Sequence, residues 1–205
     1  MMTTKDRIIQ YAGTLFLRNG IKSVSMDDIA TGLAVSKKTL YKSFANKDEI
    51  VLGVMTQHLN KVQGECAGMA GHSANAVEEL LDISRWAEQQ FSGIHPSIFY
   101  DLKKYHPAAW ALFAAHKNTF ILDQITQNLR RGMAEKLFRP DLDVAVLARL
   151  SLAQIELAFD LELYPAAQFG PVRVNRVFDE HFLLGVATLK GHRLINKYQQ
   201  VTEEE

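Results

Sequence analysis

The sequence predicts an all-α fold of about nine helices, and three observations carry that expectation. Apolar residues recur at i, i+3, i+4, i+7 along the chain, no segment alternates apolar and polar residues as a strand would, and side-chain caps stand just ahead of several apolar runs. An apolar content of 47% over 205 residues supplies the core of one large domain, or of a small domain joined to a larger one.

In the first helix Ile8, Ala12, Leu15 and Phe16 share a face and Asn19-Gly20 stops the run, so it covers about Thr4 to Asn19. Ser25 and Asp28 form a capping box ahead of Met26, Ile29, Ala30 and Leu33, a second, short helix. Ser36 caps a third, with Val35 and Leu40 placed as a hydrophobic staple and Leu40 and Phe44 facing inward. Asn46 and Glu49 cap a longer fourth helix whose Val51, Val54, Met55, His58 and Val62 share a face. Helices as short as the second and third do not persist alone, because nucleation is costly, so they must pack on the first and fourth.

Charge is unevenly spread. The chain has zero formal net charge, yet residues 1–50 hold Lys5, Arg7, Arg18, Lys22, Lys37, Lys38, Lys42 and Lys47 against only Asp6, Asp27, Asp28, Asp48 and Glu49. Lys37 and Lys38 fall in the first turn of the third helix, where the positive dipole end disfavours cations, so an anion from outside the chain is expected there. A phosphate meets that need, since free N–H groups and lysines converge on it, with Thr39, Tyr41 and Lys42 sharing the exposed face. For any one lysine taken alone, simple solvation of a surface helix is the competing explanation.

Phe16, Gly20, Ser25, Ile29, Ala30, Val35-Ser36, Thr39-Leu40-Tyr41, Phe44 and Lys47 stand at the spacings of the TetR family signature, which the chain resembles over roughly residues 4–55. The resemblance implies a helix-turn-helix DNA-binding domain over residues 1–50, with the motif at about 25–44, the recognition helix at 37–44 and the fourth helix leading onward from 47. It also implies a helical effector-binding and dimerisation domain over 51–205. By position, Ser25, Tyr41 and Lys47 resemble phosphate-contacting residues, Lys37, Lys38, Thr39 and Lys42 resemble groove-facing ones, and Ser36 matches the cap of the recognition helix. Leu33-Ala34 departs from the family's usual Ala-Gly, so a positive φ at Ala34 would cost about 1 kcal/mol.

Beyond this, residues 64–75 read as a loop or frayed helix end, and Asn75 with Glu78 caps a fifth helix with Val77, Leu80, Leu81, Ser84, Ala87 and Phe91 inward. Pro96 and Pro107 read as first helical positions of a short sixth helix (about 96–105) and a long seventh of some thirty residues, ended by Pro140. Residues 141–164 form an almost continuously apolar helix ended by Pro165, and 171–190 form another, with Val174, Val177, Phe178, His181, Phe182, Gly185 and Leu189 on one face. The end, Glu203-Glu204-Glu205, is expected to be loose.

The resemblance implies a homodimer in which helices 141–164 and 171–190 meet the partner's pair, and a ligand-responsive repressor on a palindromic operator. It further implies an effector cavity around helices five to seven. There Trp86, Phe91, Phe99, Trp110, Phe113, His116 and Phe120 are candidate lining residues for an apolar or aromatic effector, although aromatic residues at helical spacing also simply pack as core.

Other chemistry finds little support. The seven histidines are at least ten residues apart, which argues against a helical metal site. No phosphate loop, Gly-x-Gly-x-x-Gly turn or nucleophile elbow occurs, so neither an enzyme nor a cofactor is expected. Cys66 is the sole cysteine, read as a buried, inert thiol. No apolar run reaches the roughly 20 residues of a membrane span and Met1 to Arg7 is polar, so the expected compartment is the cytoplasm, with no membrane partner. The competing readings are a small-molecule-binding or catalytic helical protein with a vestigial helix-turn-helix, against which Tyr41, Lys42 and Lys47 argue, and a non-specific architectural DNA binder, which zero net charge disfavours.

Overall fold

The computed structural model describes residues 3–200, so Met1, Met2 and the expected loose end at 201–205 lie outside the described residues. Those residues contain helices and one isolated antiparallel bridge, Phe138 with Ala187, and no strand. None of the helices is long and apolar enough to cross a membrane. The described residues form two compact units, one from residues 3–62 with Gly93–His116, the other from Gln63–Ser92 with residues 117–200.

In the first unit, α1 (Thr4–Asn19) begins with a capping box between Thr3 and Asp6 and ends at Gly20, whose φ of 79° lets its N–H reach the Phe16 carbonyl. A Cβ at Gly20 would also meet Ser97 Oγ at 2.8 Å, so no other residue fits without displacement. Helices α2 (Met26–Gly32) and α3 (Lys37–Ser43) are two turns each and pack on α1 and on one another. Ile8, Ala12, Phe16, Ile29, Leu40, Phe44 and Ile50 are buried, each large aliphatic or aromatic side chain contributing about 1.5–3 kcal/mol on burial. That shared core is what holds helices too short to stand alone. Helices α6 (Ile98–Tyr105) and α7 (Pro107–His116) belong to this unit and pack on each other.

Several element boundaries differ from expectation. Helix α4 runs Lys47–His72, through the expected loop at 64–75. Val62, Cys66, Met69 and Ser73 continue the buried or half-buried stripe at helical spacing, while Gly64, Gly68 and Gly71 would meet nothing with an added Cβ and so cost only their intrinsic propensity. Helix α6 starts at Ile98 after Ser97, not at Pro96. The long seventh helix is α7, a π-helical stretch at Lys117–Ile121, and α8 (Leu122–Ala134).

The second unit contains α5 (Ala76–Phe91), capped by Asn75 as expected, with α8, α9 (Val144–Leu157), α10 (Pro171–Val186) and α11 (Leu189–Gln199). The apolar helix expected over 141–164 is shorter because Asp143 caps it late and Asp160 Oδ1 accepts from the N–H groups of Glu162 and Leu163, turning the chain. The helix expected over 171–190 stops at Val186. Ala187 is extended, and the Thr188 hydroxyl accepts from Gly191 N–H to open α11, which the periodicity did not separate. Val77, Leu81, Leu129, Phe138, Phe182, Val186 and Ile195 form the core.

Candidate nucleic-acid interface

Three residues shape the turn before α3. Ala34 has φ +53°, the left-handed region, and its N–H donates to the Thr31 carbonyl while Val35 N–H donates to Ala30. Ser36 then accepts from Thr39 N–H at 3.0 Å, and the two hydroxyls lie 2.8 Å apart. Buried Leu40 and Phe44 fix the inner face, so Lys37, Lys38, Tyr41 and Lys42 are held on the exposed side, Tyr41 half exposed.

The anion expected for the first turn comes partly from within. Lys37 Nζ donates to Asp27 on α2 at 2.6 Å, which raises the lysine pKa. Both side chains are largely exposed, so the pair steers Lys37 more than it stabilises the fold. Sequence spacing alone did not reveal Asp27, ten residues away across a turn.

Ser25 and Lys47 are more engaged than their family positions suggest. Ser25 Oγ accepts from Asp28 N–H, while the Ser25 hydroxyl and N–H each donate to the Asp28 carboxylate at 2.7 Å and so hold its pKa below the usual value. Lys47 is half-buried, its ammonium donating to the Ile21 carbonyl and lying 5.8 Å from the Phe16 ring centre. Burial lowers its pKa, and an ammonium with three donors retains capacity for a further acceptor.

The candidate effector residues fall in both units. In the first, Phe99 packs edge-on to Trp110 and Phe113, with ring centres 6.5 and 5.2 Å apart, and Trp110 and Phe113 are 5.5 Å apart. These rings fill one another's surroundings. His116 is half-buried, and burial lowers its pKa. In the second unit Phe91 stacks edge-on to Phe159 at 5.1 Å, and Phe120 lies half-buried in the π-helical stretch. Trp86 lines a cavity of about 440 Å³ with Glu65, Met69, His72, Glu78 and Asp82, its indole N–H donating to Glu65 at 2.8 Å. Periodicity does not bring these carboxylates together, because Glu65 lies on α4 within the segment expected to be a loop, while Glu78 and Asp82 lie on α5.

The capped pair α2–α3, with its cations outward, is a helix-turn-helix, and residues 8–54 match the family model described as "Bacterial regulatory proteins, tetR family". The amino-terminal segment of the chain is therefore similar to the DNA-binding region of tetR-family regulators. Among similar proteins, the HTH-type transcriptional repressor KstR2 of Mycobacterium tuberculosis is 24% identical over 152 residues, 71% of this chain and 74% of that protein. The transcriptional regulator UidR of Escherichia coli is 25% identical over 73% of this chain and 76% of its own length. The fold matches a TetR-family regulator from Agrobacterium tumefaciens with a TM-score of 0.74 at 19% identity, covering 90% of this chain and 97% of that one. It also matches the ketosteroid transcriptional regulator KstR2 of M. tuberculosis, with a TM-score of 0.61 at 19% identity, over 92% and 97% of the two chains. Together, the helix-turn-helix and these relatives make the protein a DNA-binding transcriptional regulator.

Proposed function

We propose that the protein is a homodimeric, ligand-responsive repressor acting in the cytoplasm, in which residues 1–50 hold DNA and residues 51–205 carry effector binding and dimerisation. Lys38, Thr39, Tyr41 and Lys42 meet base edges and phosphates from α3, Lys37 joins them when it leaves Asp27, and Ser36 presets the helix through its cap. Ser25 and Lys47 contact phosphate as secondary anchors, their existing bonds limiting their reach. The observation that carries the reading is a two-turn helix with its apolar face buried and its lysines and Tyr41 exposed, a shape suited to the major groove.

Two outward faces support the dimer. Val146 and Leu150 on α9, and Val177 and Leu184 on α10, are exposed apolar residues on helices that pack together within one unit. A second copy would cover them by two-fold symmetry. For the effector, Trp86 and Met69 offer apolar cover to a small molecule with an apolar or aromatic body, and Glu78 and Asp82 suit a polar group at its end. Binding there would change the separation of the two recognition helices from the roughly 34–36 Å that successive major grooves require, releasing DNA.

Selection of random duplex DNA by the purified protein, repeated with Lys38→Ala and Tyr41→Ala, tests the reading. It predicts an enriched palindrome bound more weakly by both variants. Absence of any enriched sequence at low salt would refute it.

A further inference from the structure

Away from α3, the first unit carries a second group of cations that the helix-turn-helix does not use. Lys22, in the turn between α1 and α2, and Lys104, near the end of α6, both lie over the ring of Tyr105, at 5.2 and 5.5 Å from its centre. Lys104 also lies 5.0 Å from the Tyr100 ring centre and donates to the Tyr100 hydroxyl at 2.6 Å, while Lys103 lies over Trp110 at 5.7 Å. Tyr100 is 52% exposed and Tyr105 36%. None of the three ammonium groups is ion-paired with a carboxylate among the described residues. Asp101, beneath them, is buried and accepts from Lys22 N–H and the Ser97 hydroxyl.

We infer that Lys22, Lys103, Lys104, Tyr100 and Tyr105 form a second phosphate-binding face, which holds the DNA backbone flanking the bases met by α3. The inference rests on the DNA-binding reading and extends it to a surface outside the family motif. Cations at the end of α6 suit its dipole, which accounts for Lys103 and Lys104 but not for Lys22, which converges on the same ring from another segment. Ammonium and phenol groups held without carboxylates, facing solvent, are donors suited to phosphate oxygens. Hydrogen bonding from Lys22 lowers the Tyr105 pKa, a mark of the local positive potential.

Continuity with the primary interface identifies the occupant as DNA. Lys22 stands three residues before Ser25, and Lys47 donates to the carbonyl of Ile21, the residue before Lys22. On the other side His106, the residue after Tyr105, meets Asp48 in the first turn of α4 at 2.5 Å. The sequence neighbours of Lys22 and Tyr105 are therefore bonded to Lys47, a proposed phosphate anchor, and to the adjoining Asp48.

The test compares wild type, K22A and K103A/K104A on two duplexes: the selected operator trimmed to its core, and the same core with about one helical turn of flank on each side. Thermal melting checks that these exposed substitutions leave the fold intact. Wild type should bind the flanked duplex more tightly. The double variant should lose that gain while selecting the same core sequence. Its slope of log affinity against log salt should fall by about 0.9 for every phosphate it no longer neutralises, so removing two such ion pairs narrows the affinity ratio between about 50 and 200 mM salt roughly tenfold. A charge reversal, K104E, should weaken flanked DNA further. Unchanged slope and flank gain in all variants would overturn the inference while leaving the α3 reading intact. A defect that appears only when RNA polymerase is added would also overturn it, assigning the patch to a protein partner. Failure of wild type to select any sequence would remove the DNA-binding reading itself.

Discussion

The two units leave different kinds of surface uncovered. The first exposes Lys38, Tyr41 and Lys42 on a helix too short to be stable without its buried face, while the second exposes Val146, Leu150, Val177 and Leu184 on helices of three turns or more. Neither surface is explained by folding, since solvated lysines add little stability and exposed aliphatic residues forgo burial. On the proposed function each awaits a different partner: a polyanion in one case, a matching apolar face in the other.

The largest effect expected from breaking this contrast is at the apolar surface. The double substitution Leu150→Asp and Val177→Asp should raise the dimer dissociation constant roughly thirtyfold or more, from a loss of about 2 kcal/mol or more, read by sedimentation. Next, Lys38→Ala should lower the salt slope of operator binding by about 0.9 for every phosphate left unneutralised, with the dimer constant unchanged. Ser36→Ala should destabilise the first unit by about 1 kcal/mol in denaturant melts, because Thr39 N–H loses its cap. Ala34→Gly should stabilise by up to about 1 kcal/mol by relieving the positive φ, read as a raised Tm. The smallest change concerns Cys66, whose thiol burial pushes up to about 11. Alkylation at neutral pH should be slow in the native protein and fast in denaturant.

Helix boundaries set by neighbours in sequence were legible. Ser25, Ser36 and Asn75 each bond to a backbone N–H within three residues, and α2, α3 and α5 begin where their caps predict. Boundaries set from afar were not. The break before α11 depends on Thr188 donating to the Lys136 and Leu137 carbonyls, some fifty residues away. The π-helical stretch likewise begins at Lys117, whose ammonium pairs with Glu156 on α9. The same limit applied to the candidate site: the α3 face was readable from periodicity, whereas Asp27 beside Lys37, the carboxylates around Trp86, and the convergence of Lys22 with Lys104 on Tyr105 exist only after folding.

The most direct measurement of the central claim is the mass of the complex formed with the selected duplex, together with the spacing of its half-sites. Two copies on a palindrome whose half-sites are about one helical turn apart, or a multiple of it, are predicted, because the proposed two-fold dimer would present one α3 helix to each of two major grooves on one side of the duplex. A single copy bound tightly to an asymmetric site would contradict that account.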